Sequence, residues 1–280
     1  MKLGFVVLTY NRPRALLAVL RALAPQCTSD MTVVIADDGS TAQNVAAMRS
    51  AMPAFACPVR HLWHPDVGFT AARARNQGAA NADCDYIVFL DGDCVPNAHF
   101  VQAHVALAEQ GCFVNGSRVL LSPALTARVE QREAELQQMG TAGWLQLRLS
   151  GDVNKLSHLV DWPGAPGRVH ERFKWKGIRS CNFGVWYRDF KTVNGFDESF
   201  EGWGHEDADL VLRLHHADVK RKNGWCATEV FHLWHAENSR AREAVNRQKV
   251  LIREHSAIVR AEQGLGQLHH GAAPTVTDLN

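Results

Sequence analysis

The chain has 280 residues and a formal net charge of +1, with 46% hydrophobic and 21% charged residues. This length is enough to bury the core of one domain, and the near-neutral charge argues against general binding to nucleic acid or to membrane surfaces. Seven cysteines stand singly, without a CxxC pair or metal-type spacing, which is typical of reduced thiols in a cytosolic protein.

The N-terminal sequence MKLGFVVLTYNRP contains an apolar run that is too short for a signal peptide and that reaches a turn by Asn11. No stretch of the sequence has the roughly 18–20 apolar residues that a membrane span needs. The sequence therefore predicts a cytoplasmic protein, and it leaves peripheral contact with the inner face of the membrane open.

Short apolar strands alternate with helical patterns through the first half of the chain. LGFVVLTY and MTVVIADDGS are typical of buried strands followed by helices, and RHLWH and DYIVFLDGDC enclose a helical stretch at 70–82. This alternation indicates βαβ units, so the predicted fold class is α/β with a doubly wound, mostly parallel sheet. Ligands of such sheets bind outside the carboxyl ends of the strands. Those ends are all polar here: 9–12, 37–40, 64–68 and 91–93.

The second half of the chain is less regular. Residues 140–178 carry Gly, Pro and Trp with little periodicity, which indicates a loop-rich lid or an excursion around a substrate. A strand-like SCNFGVWY, a helix from about 205 to 217 and a strand-like TEVFHLWH follow. A basic amphipathic helix is predicted over about 239–262. Residues 263–280 are small and polar, and we predict a flexible tail there.

Acidic pairs follow two of the buried strands. Asp91 and Asp93 in FLDGDC are two residues apart, so both can point to one side and hold a divalent cation that also binds phosphate oxygens. A plain Asp-Gly turn is the alternative. Asp37 and Asp38 in ADDGS are candidates for hydrogen bonds to a nucleobase or ribose, with a helix cap as the alternative.

Two arginines in VGFTAARARNQG, Arg73 and Arg75, lie near a third strand end. Guanidinium groups suit phosphate, and solvated helix arginines are the alternative for either one taken singly. Asn182, on the strand-like segment SCNFGVWY that precedes the acidic motif, is a candidate for hydrogen bonds to a donor or acceptor sugar.

The segment FEGWGHEDADL, residues 200–210, crowds four acids around a Trp between two glycines. On a helical wheel started at Glu206, Asp207 lies in the middle of the apolar face, Glu206 lies at its border and Asp209 faces solvent. An acid in the first turn of a helix stabilises the helix dipole equally well when it is exposed to solvent. The inward direction of Asp207 therefore favours a role in catalysis. Trp203 offers a face for stacking on a sugar ring, and a core Trp is the equal alternative.

These motifs together resemble those of nucleotide-sugar glycosyltransferases of the GT-A fold, in particular the large inverting family-two group. The resemblance covers about 1–120 through VVLTYNRP, IADDGS, VGFTAARARNQG and VFLDGDC, and it resumes over 180–235 in NGFDESFEGWGHEDADLVLRL and VFHLWH. The second block resembles the C-terminal motif of galactosyl- and N-acetylgalactosaminyltransferases and of bacterial lipopolysaccharide or capsule transferases. Residues 121–178 match no such motif, so the resemblance does not identify the acceptor.

The predicted organisation is a single GT-A domain at 1–262 followed by the tail at 263–280. Within the domain, 1–120 is the nucleotide-sugar-binding half, 121–178 a variable acceptor or lid region, and 179–262 the acceptor and catalytic half. The resemblance implies that the base and ribose pocket is lined by Thr9, Asn11, Arg12 and Asp38.

The resemblance also implies a metal site for Mn²⁺ or Mg²⁺. Asp91 would hold the ribose or the metal, and Asp93 would be the main metal ligand. In several relatives a His after the acidic helix completes the site, and here His232 and His235 compete for that role. Strand alternation would point these two to opposite faces, and the Val-x-His pattern favours His232.

Inverting transfer needs a base that takes the proton of the acceptor hydroxyl and a cation that stabilises the departing diphosphate. We predict that Asp207 is the base and that Glu206 binds acceptor hydroxyls. The predicted function is therefore metal-dependent, inverting transfer of galactose or N-acetylgalactosamine from a UDP-sugar to a hydroxyl of a glycan or glycoconjugate acceptor.

Three alternative functions are a transferase with a retaining mechanism, an enzyme of another class and a protein without catalytic activity. A retaining transferase of the same fold would differ in the anomer of its product. A nucleotidyltransferase would carry a Gly-rich phosphate loop after the first strand, and LTYNRPRA lacks glycine. A non-catalytic sugar- or nucleotide-binding module has no need of an inward Asp207. The sequence does not indicate the oligomeric state.

Overall fold

A computed structural model of the chain describes residues 1–236, 239–270 and 273–280. Its strands are β1 (Leu3–Thr9), β2 (Thr32–Asp37), β3 (Val59–Trp63), β4 (Tyr86–Asp91), β5 (Cys94–Pro96), β6 (Cys112–Asn115), β7 (Ser117–Leu120), β8 (Val169–His170), β9 (Asn182–Trp186), β10 (Lys220–Asn223), β11 (Glu229–His232) and β12 (Thr275–Asp278). Its α-helices are α1 (Pro13–Leu23), α2 (Ala42–Ser50), α3 (Ala71–Ala80), α4 (Phe100–Leu107), α5 (Pro123–Glu130), α6 (Thr141–Leu149), α7 (Tyr187–Thr192), α8 (Glu206–His216) and α9 (Glu243–Glu254).

The large sheet has the strand order β12-β3-β2-β1-β4-β9-β6-β10-β8. Strands β3, β2, β1 and β4 are parallel, whereas β9 runs antiparallel between β4 and β6. Along β1, Phe5 and Val7 pack into one hydrophobic cluster and Val6 into another, as expected for a strand covered on both faces. The α/β prediction is confirmed, and the parallel strands are those that end at the candidate site.

A second, smaller sheet has the order β5-β11-β7. Strand β5 begins directly after Asp93 and pairs antiparallel with β11, so that Cys94 lies opposite His232. The small sheet thereby brings the VFHLWH segment to the Asp-Gly-Asp turn, although Cys94 and His232 are 138 positions apart in the sequence. Pairing of this range cannot be read from local patterns.

Residues 140–178 are mainly irregular, as predicted, and contain only the short elements α6 and β8 with one 3-10 turn, although the side chain of Trp144 is buried in the core. Two other predictions about the second half need correction. The segment 263–280 is not simply a tail. Its strand β12 pairs antiparallel with β3 at the edge of the large sheet. Helix α9, at Glu243–Glu254, is shorter than the predicted 239–262.

No helix among the described residues is long and apolar enough to cross a membrane.

The solvent-facing position predicted for Asp209 is also wrong. Its side chain is fully buried and lies 2.8 Å from the guanidinium of Arg213 and 2.6 Å from that of Arg253. Arg253 lies 2.8 Å from Asp197 as well. The helical wheel failed because α9 packs against the side of α8 that the wheel assigned to water. Asp209 therefore fixes the position of the helix that begins with Glu206.

The Asp209→Asn variant should have a free energy of unfolding lower by about 3 kcal/mol, because the substitution leaves buried guanidinium groups without their counter-charge. Urea denaturation followed by circular dichroism measures the difference. Asp161→Asn, at an exposed position, is the control and should change stability by less than about 0.5 kcal/mol. Equal stability of the two variants would show that Asp209 does not hold α8 in place.

Candidate active site

Three strand ends meet at the polar edge of the large sheet. The backbone N–H of Asp38, after β2, donates to the carbonyl of Thr9 at 2.9 Å, and the N–H of Gly92 donates to the carbonyl of Leu8 at 2.7 Å. A Cβ at Gly92 would lie 2.8 Å from that same carbonyl oxygen. Only glycine therefore fits between Asp91 and Asp93, and the tight turn presents both carboxylates at this edge.

The two acids of ADDGS have different surroundings. Asp37 is buried, accepts the N–H of Ser40 at 2.8 Å and lies 3.0 Å from Nε2 of His61, so its role is structural. Asp38 accepts the N–H of Thr70 at 2.9 Å and also its hydroxyl. The prediction that Asp38 serves a nucleotide is compatible with this position beside Thr9.

Asp38 has a buried partner that the sequence analysis missed. Nε2 of His64 lies 3.3 Å from its carboxylate, and Nδ1 of the same ring lies 3.0 Å from the carbonyl of Pro65, which can only accept. Burial lowers the pKa of His64, but its bonds to Asp38 and to that carbonyl raise it by more. The imidazole of His64 therefore lies where it can orient Asp38. The only sequence signal was a polar strand end at 64–68.

Asn11 joins two loops of the edge. Its backbone is left-handed, with φ 50°, and its N–H donates to the hydroxyl of Ser40 at 2.8 Å. Its side-chain oxygen accepts from the N–H of Thr41 at 2.9 Å and from the amide of Asn44 at 2.8 Å. These bonds hold the loop after β1 against the start of α2, so Asn11 shapes the predicted pocket through the backbone around it.

Asp93 is surrounded by positively charged and imidazole groups. Its Oδ2 accepts from Nη1 of Arg12 at 3.0 Å and lies 3.4 Å from Nε2 of His235, and its Oδ1 lies 3.8 Å from Nε2 of His232. The expectation that the two histidines point to opposite faces is wrong. Strand β11 ends at His232, and the next N–H, that of Leu233, donates to the carbonyl of Asp93 at 2.8 Å. Both imidazoles therefore reach the same carboxylate.

One carboxylate and two imidazoles form a donor set that suits a divalent transition metal such as Mn²⁺. Burial lowers the pKa of His232, which favours the neutral form that a metal ligand requires. Cys94 lies close to Asp93 and His232, but burial and the neighbouring Cys181 raise the pKa of its thiol well above the usual range. The donor atoms of Asp93 and His232 lie close enough together to share a metal, and Nε2 of His235 lies 3.4 Å from Asp93. The residues present therefore fit a metal held by Asp93 and His232, with His235 beside them and without the thiol.

Arg12, which the resemblance assigned to the base and ribose pocket, contacts the candidate metal ligand. One of its guanidinium nitrogens binds Asp93, and the other, Nη2, donates to Glu130 of α5 at 3.1 Å. Its positive charge thus lies beside the candidate metal site, between the Asp-Gly-Asp turn and α5.

Arg75 connects the Asp-Gly-Asp turn with the acidic helix. Its buried guanidinium donates to Asp91 at 2.8 Å and to Glu206 at 3.4 Å, and it lies over the ring of Phe196 at 5.4 Å. Arg73, predicted with it as a phosphate ligand, is half-buried on the same helix. Because two carboxylates engage Arg75, its evident role is to hold the first turn of α8 against the end of β4.

Asp207 lies in that first turn. Burial and the adjacent charge of Glu206 raise the pKa of Asp207 to about 7, against the lowering effects of the Ala208 N–H, Arg75 and the Ser180 backbone. The sequence left open whether apolar surroundings or the helix N-terminus would prevail, and here burial prevails. A carboxyl group that titrates near neutral pH is suited to general base catalysis.

Two further sugar-binding candidates have different outcomes. The prediction for Asn182 is wrong, because its side chain is buried and bonds to the core groups His104, Ser117 and Thr228. Trp203 is 36% exposed, and the guanidinium of Arg240 lies 5.4 Å from its ring centre. An exposed indole fits the predicted stacking role better than a core role.

The parallel sheet, the Asp-Gly-Asp turn and the acidic helix that follows define a GT-A glycosyltransferase. The family model described as glycosyl transferase family 2 matches residues 5–154, more than half of the chain. A second model, described as the N-terminal domain of galactosyltransferase, matches residues 167–236. The chain therefore belongs to glycosyltransferase family 2.

Similar proteins carry glycosyltransferase names. Validoxylamine A glucosyltransferase of Streptomyces hygroscopicus subsp. jinggangensis is 33% identical over 226 residues, hyaluronan synthase of Pasteurella multocida 27% over 235, and chondroitin synthase of Escherichia coli 26% over 233. Each similarity covers 76% of this chain. The chain spans about half (51%) of the length of the glucosyltransferase, and 22% and 32% of the two synthases.

Solved structures share the fold. Residues 1–349 of S. aureus TarS in complex with UDP-GlcNAc superpose with a TM-score of 0.53 and 14% identity, covering 96% of this chain and 69% of that chain. GalNAc-T7 with UDP, GalNAc and Mn²⁺ gives a TM-score of 0.56 and 12% identity, covering 90% and 48%. At these identities the likeness establishes the GT-A architecture.

Proposed function

We propose that the chain transfers a hexosyl group from a UDP-sugar to a hydroxyl of a glycan or glycoconjugate acceptor, with inversion and with dependence on Mn²⁺ or Mg²⁺. The observation that carries the proposal is the pair of bonds from Arg75 to Asp91 and to Glu206. They bring Asp207, with its pKa raised to about 7, to the turn that carries the candidate metal ligand Asp93.

In the proposed reaction, Asp207 accepts the proton of the acceptor hydroxyl while the hydroxyl oxygen attacks the anomeric carbon. The bond from that carbon to the diphosphate oxygen breaks, and its electron pair leaves with UDP. Glu206 is bound to Arg75, so Asp207 is the carboxylate of this turn that serves the acceptor. A divalent cation held by Asp93 and His232, with His235 beside them, would neutralise negative charge on the departing diphosphate.

Other residues of the edge orient the donor in this proposal. Asp38 and Thr9 serve the base and ribose, with His64 fixing Asp38. Trp203 contacts the sugar or the acceptor through its exposed face. The location predicted from sequence, the cytoplasm with contact to the inner face of the membrane, stays a prediction.

The donor sugar is a choice among hexoses. The match of residues 167–236 to a galactosyltransferase domain supports galactose or N-acetylgalactosamine, whereas a relative named as a glucosyltransferase supports glucose. Membership of glycosyltransferase family 2 argues against the nucleotidyltransferase alternative. The retaining alternative, in which the product would keep the anomeric configuration of the donor, is distinguished by the anomer of the product.

A donor screen tests the proposal. UDP release is measured from UDP-galactose, UDP-N-acetylgalactosamine, UDP-glucose and UDP-N-acetylglucosamine, with GDP-mannose as control, in Mn²⁺ and in EDTA. We expect release from at least one UDP-hexose in Mn²⁺ and none in EDTA, and nuclear magnetic resonance of a trapped product should show the inverted anomer. Release from no UDP-sugar would overturn the donor assignment, equal release in EDTA the metal dependence, and a retained anomer the mechanism.

A further inference from the structure

A cleft of about 540 Å³ lies outside the candidate active site, between α1, the end of α2 and the end of α5. Its lining includes Arg14, Leu17 and Arg21 of α1, Met52 after α2, Glu130 of α5, and Arg132. This volume lies within the range of small-molecule and cofactor sites. Nothing in the proposed reaction uses these α1 residues or Arg132.

The charges of the cleft are mainly positive. Arg14, Leu17 and Arg21 are spaced i, i+3 and i+7, so they share one face of α1. Within the described part of the chain, no carboxylate forms an ion pair with Arg14, Arg21 or Arg132. Burial and the positive charge of Arg132 lower the pKa of Arg21, and Glu135 only partly opposes them. Like charges therefore face each other across a concave surface.

Glu130, the one acidic residue that lines the cleft, does not neutralise the positive charge of these arginines. Glu130 already accepts a hydrogen bond from Arg12 at 3.1 Å, and the other side of the Arg12 guanidinium binds Asp93 at 3.0 Å. The cleft therefore has an unbalanced positive charge, and a single side chain separates its Glu130 end from the candidate metal site.

We propose that this cleft binds an anionic segment of the acceptor, a glycan that carries carboxylate or phosphate groups. Three guanidinium groups in a concave site attract anions and bind their oxygens through paired N–H donors. Met52 and Pro53, both half-buried in the lining, add apolar surface for the C–H face of a sugar ring. Arg14 and Arg21 are separated by about 10 Å along α1 at the helical rise per residue, a spacing that suits an extended chain better than a single small ion.

This inference rests on the proposed function, because it specifies the acceptor of the same transfer. An acceptor held along α1 would pass the Arg12–Glu130 pair on its way to the Asp-Gly-Asp turn. The positive charge of the cleft would then select acceptors by charge, whereas Asp207 would act on a hydroxyl of any acceptor that reaches it.

Equilibrium binding to the whole chain tests the inference, with saturating UDP and Mn²⁺ to fill the donor site. The probes are tetragalacturonate, inorganic tripolyphosphate and neutral maltotetraose, measured by titration calorimetry. We expect at least one anionic probe to bind, maltotetraose not to bind, and added salt to weaken the binding. The double variant Arg21→Gln/Arg132→Gln should weaken it at least about tenfold. Arg148→Gln, an exposed arginine of α6 outside the cleft, should have no effect.

Each outcome bears on the inference. Binding of tetragalacturonate assigns a carboxylate-bearing glycan, and binding of tripolyphosphate alone assigns a phosphate-bearing one. Anionic probes that bind no better than maltotetraose, or that bind the double variant as well as the wild type, would overturn the inference. UDP release without acceptor should stay unchanged in the double variant. A wild-type chain that releases no UDP from any donor would refute the proposed function instead, independently of the binding result.

Discussion

The Asp207→Asn variant should lose about 10²–10⁴-fold in kcat, the usual contribution of a positioned general base. Asparagine keeps the shape of the side chain but cannot accept the proton of the acceptor hydroxyl. UDP and Mn²⁺ should bind the variant within about twofold of wild type, because the side chain acts only on the acceptor. Initial rates of UDP release and calorimetric titration with UDP measure the two effects.

The pH profile of the wild type separates a base from a merely structural acid. The pKa of Asp207 is raised to about 7 and only its carboxylate form accepts a proton, so kcat should rise with pH up to about 7 and then level off. Glu206→Gln removes a charge that raises this pKa, so the rise should move to lower pH. The residual rate of Asp207→Asn should lack this rise.

Asp161→Asn, at an exposed position, is the matched control and should retain the wild-type rate and profile. Turnover of Asp207→Asn close to that of the control would exclude Asp207 as the base. A profile with the same rise in both Asp207→Asn and wild type would assign the titrating group to another residue.

The sequence predicted the parts of the site that depend on one element at a time. The apolar runs of β1, β2 and β4 and their polar ends identified the edge of the sheet, and the two-residue spacing identified the pair Asp91 and Asp93. The helical wheel placed Asp207 on the face of α8 that carries Leu210, Val211 and Leu214, and these three residues pack in the core. Local periodicity carries this information within a single helix or strand. The role of Asp207 as the base stays a prediction.

The predictions that were wrong concern residues whose surroundings depend on a second helix or strand, distant in the sequence. Asp209 was assigned to solvent because a helical wheel shows one apolar face and cannot show that α9 covers another. Asn182 lies on a strand, and a buried polar side chain there looks the same in sequence whether its partners are a ligand or core groups such as Thr228. The pairing of β12 with β3 joins residues more than 200 positions apart, which no local pattern records.

The two histidines show the limit of a correct rule. Alternation holds inside a strand, and it would separate His232 from His235 if β11 continued. The strand ends at His232, and the N–H of Leu233 donates to the carbonyl of Asp93, so the chain that carries both histidines stays bound to the Asp-Gly-Asp turn. Both imidazoles therefore lie near Asp93. The prediction that only one of the two histidines binds the metal can now be tested for each histidine separately.

Asp93→Asn should lower kcat/KM for the donor by roughly 10²–10³-fold, because the charge stabilisation that a metal supplies to a leaving diphosphate amounts to several kcal/mol. Both imidazoles face this carboxylate, so its loss should also weaken Mn²⁺ binding at least about tenfold. His232→Gln and His235→Gln should each weaken it less than Asp93→Asn does. Paramagnetic relaxation of water protons during Mn²⁺ titration measures the affinity without any turnover.

His99→Gln, an exposed histidine at the start of α4, is the control and should bind Mn²⁺ as the wild type does. Asp93 is partly buried, but its partner Arg12 also pairs with Glu130 and keeps a counter-charge in the variant, so the melting temperature of Asp93→Asn should change by no more than about 3 °C. Lost activity with an unchanged melting temperature and weaker Mn²⁺ binding would then identify Asp93 as a ligand. Full activity of the wild type in EDTA would refute the metal requirement, and unaltered Mn²⁺ affinity in Asp93→Asn would place the metal elsewhere.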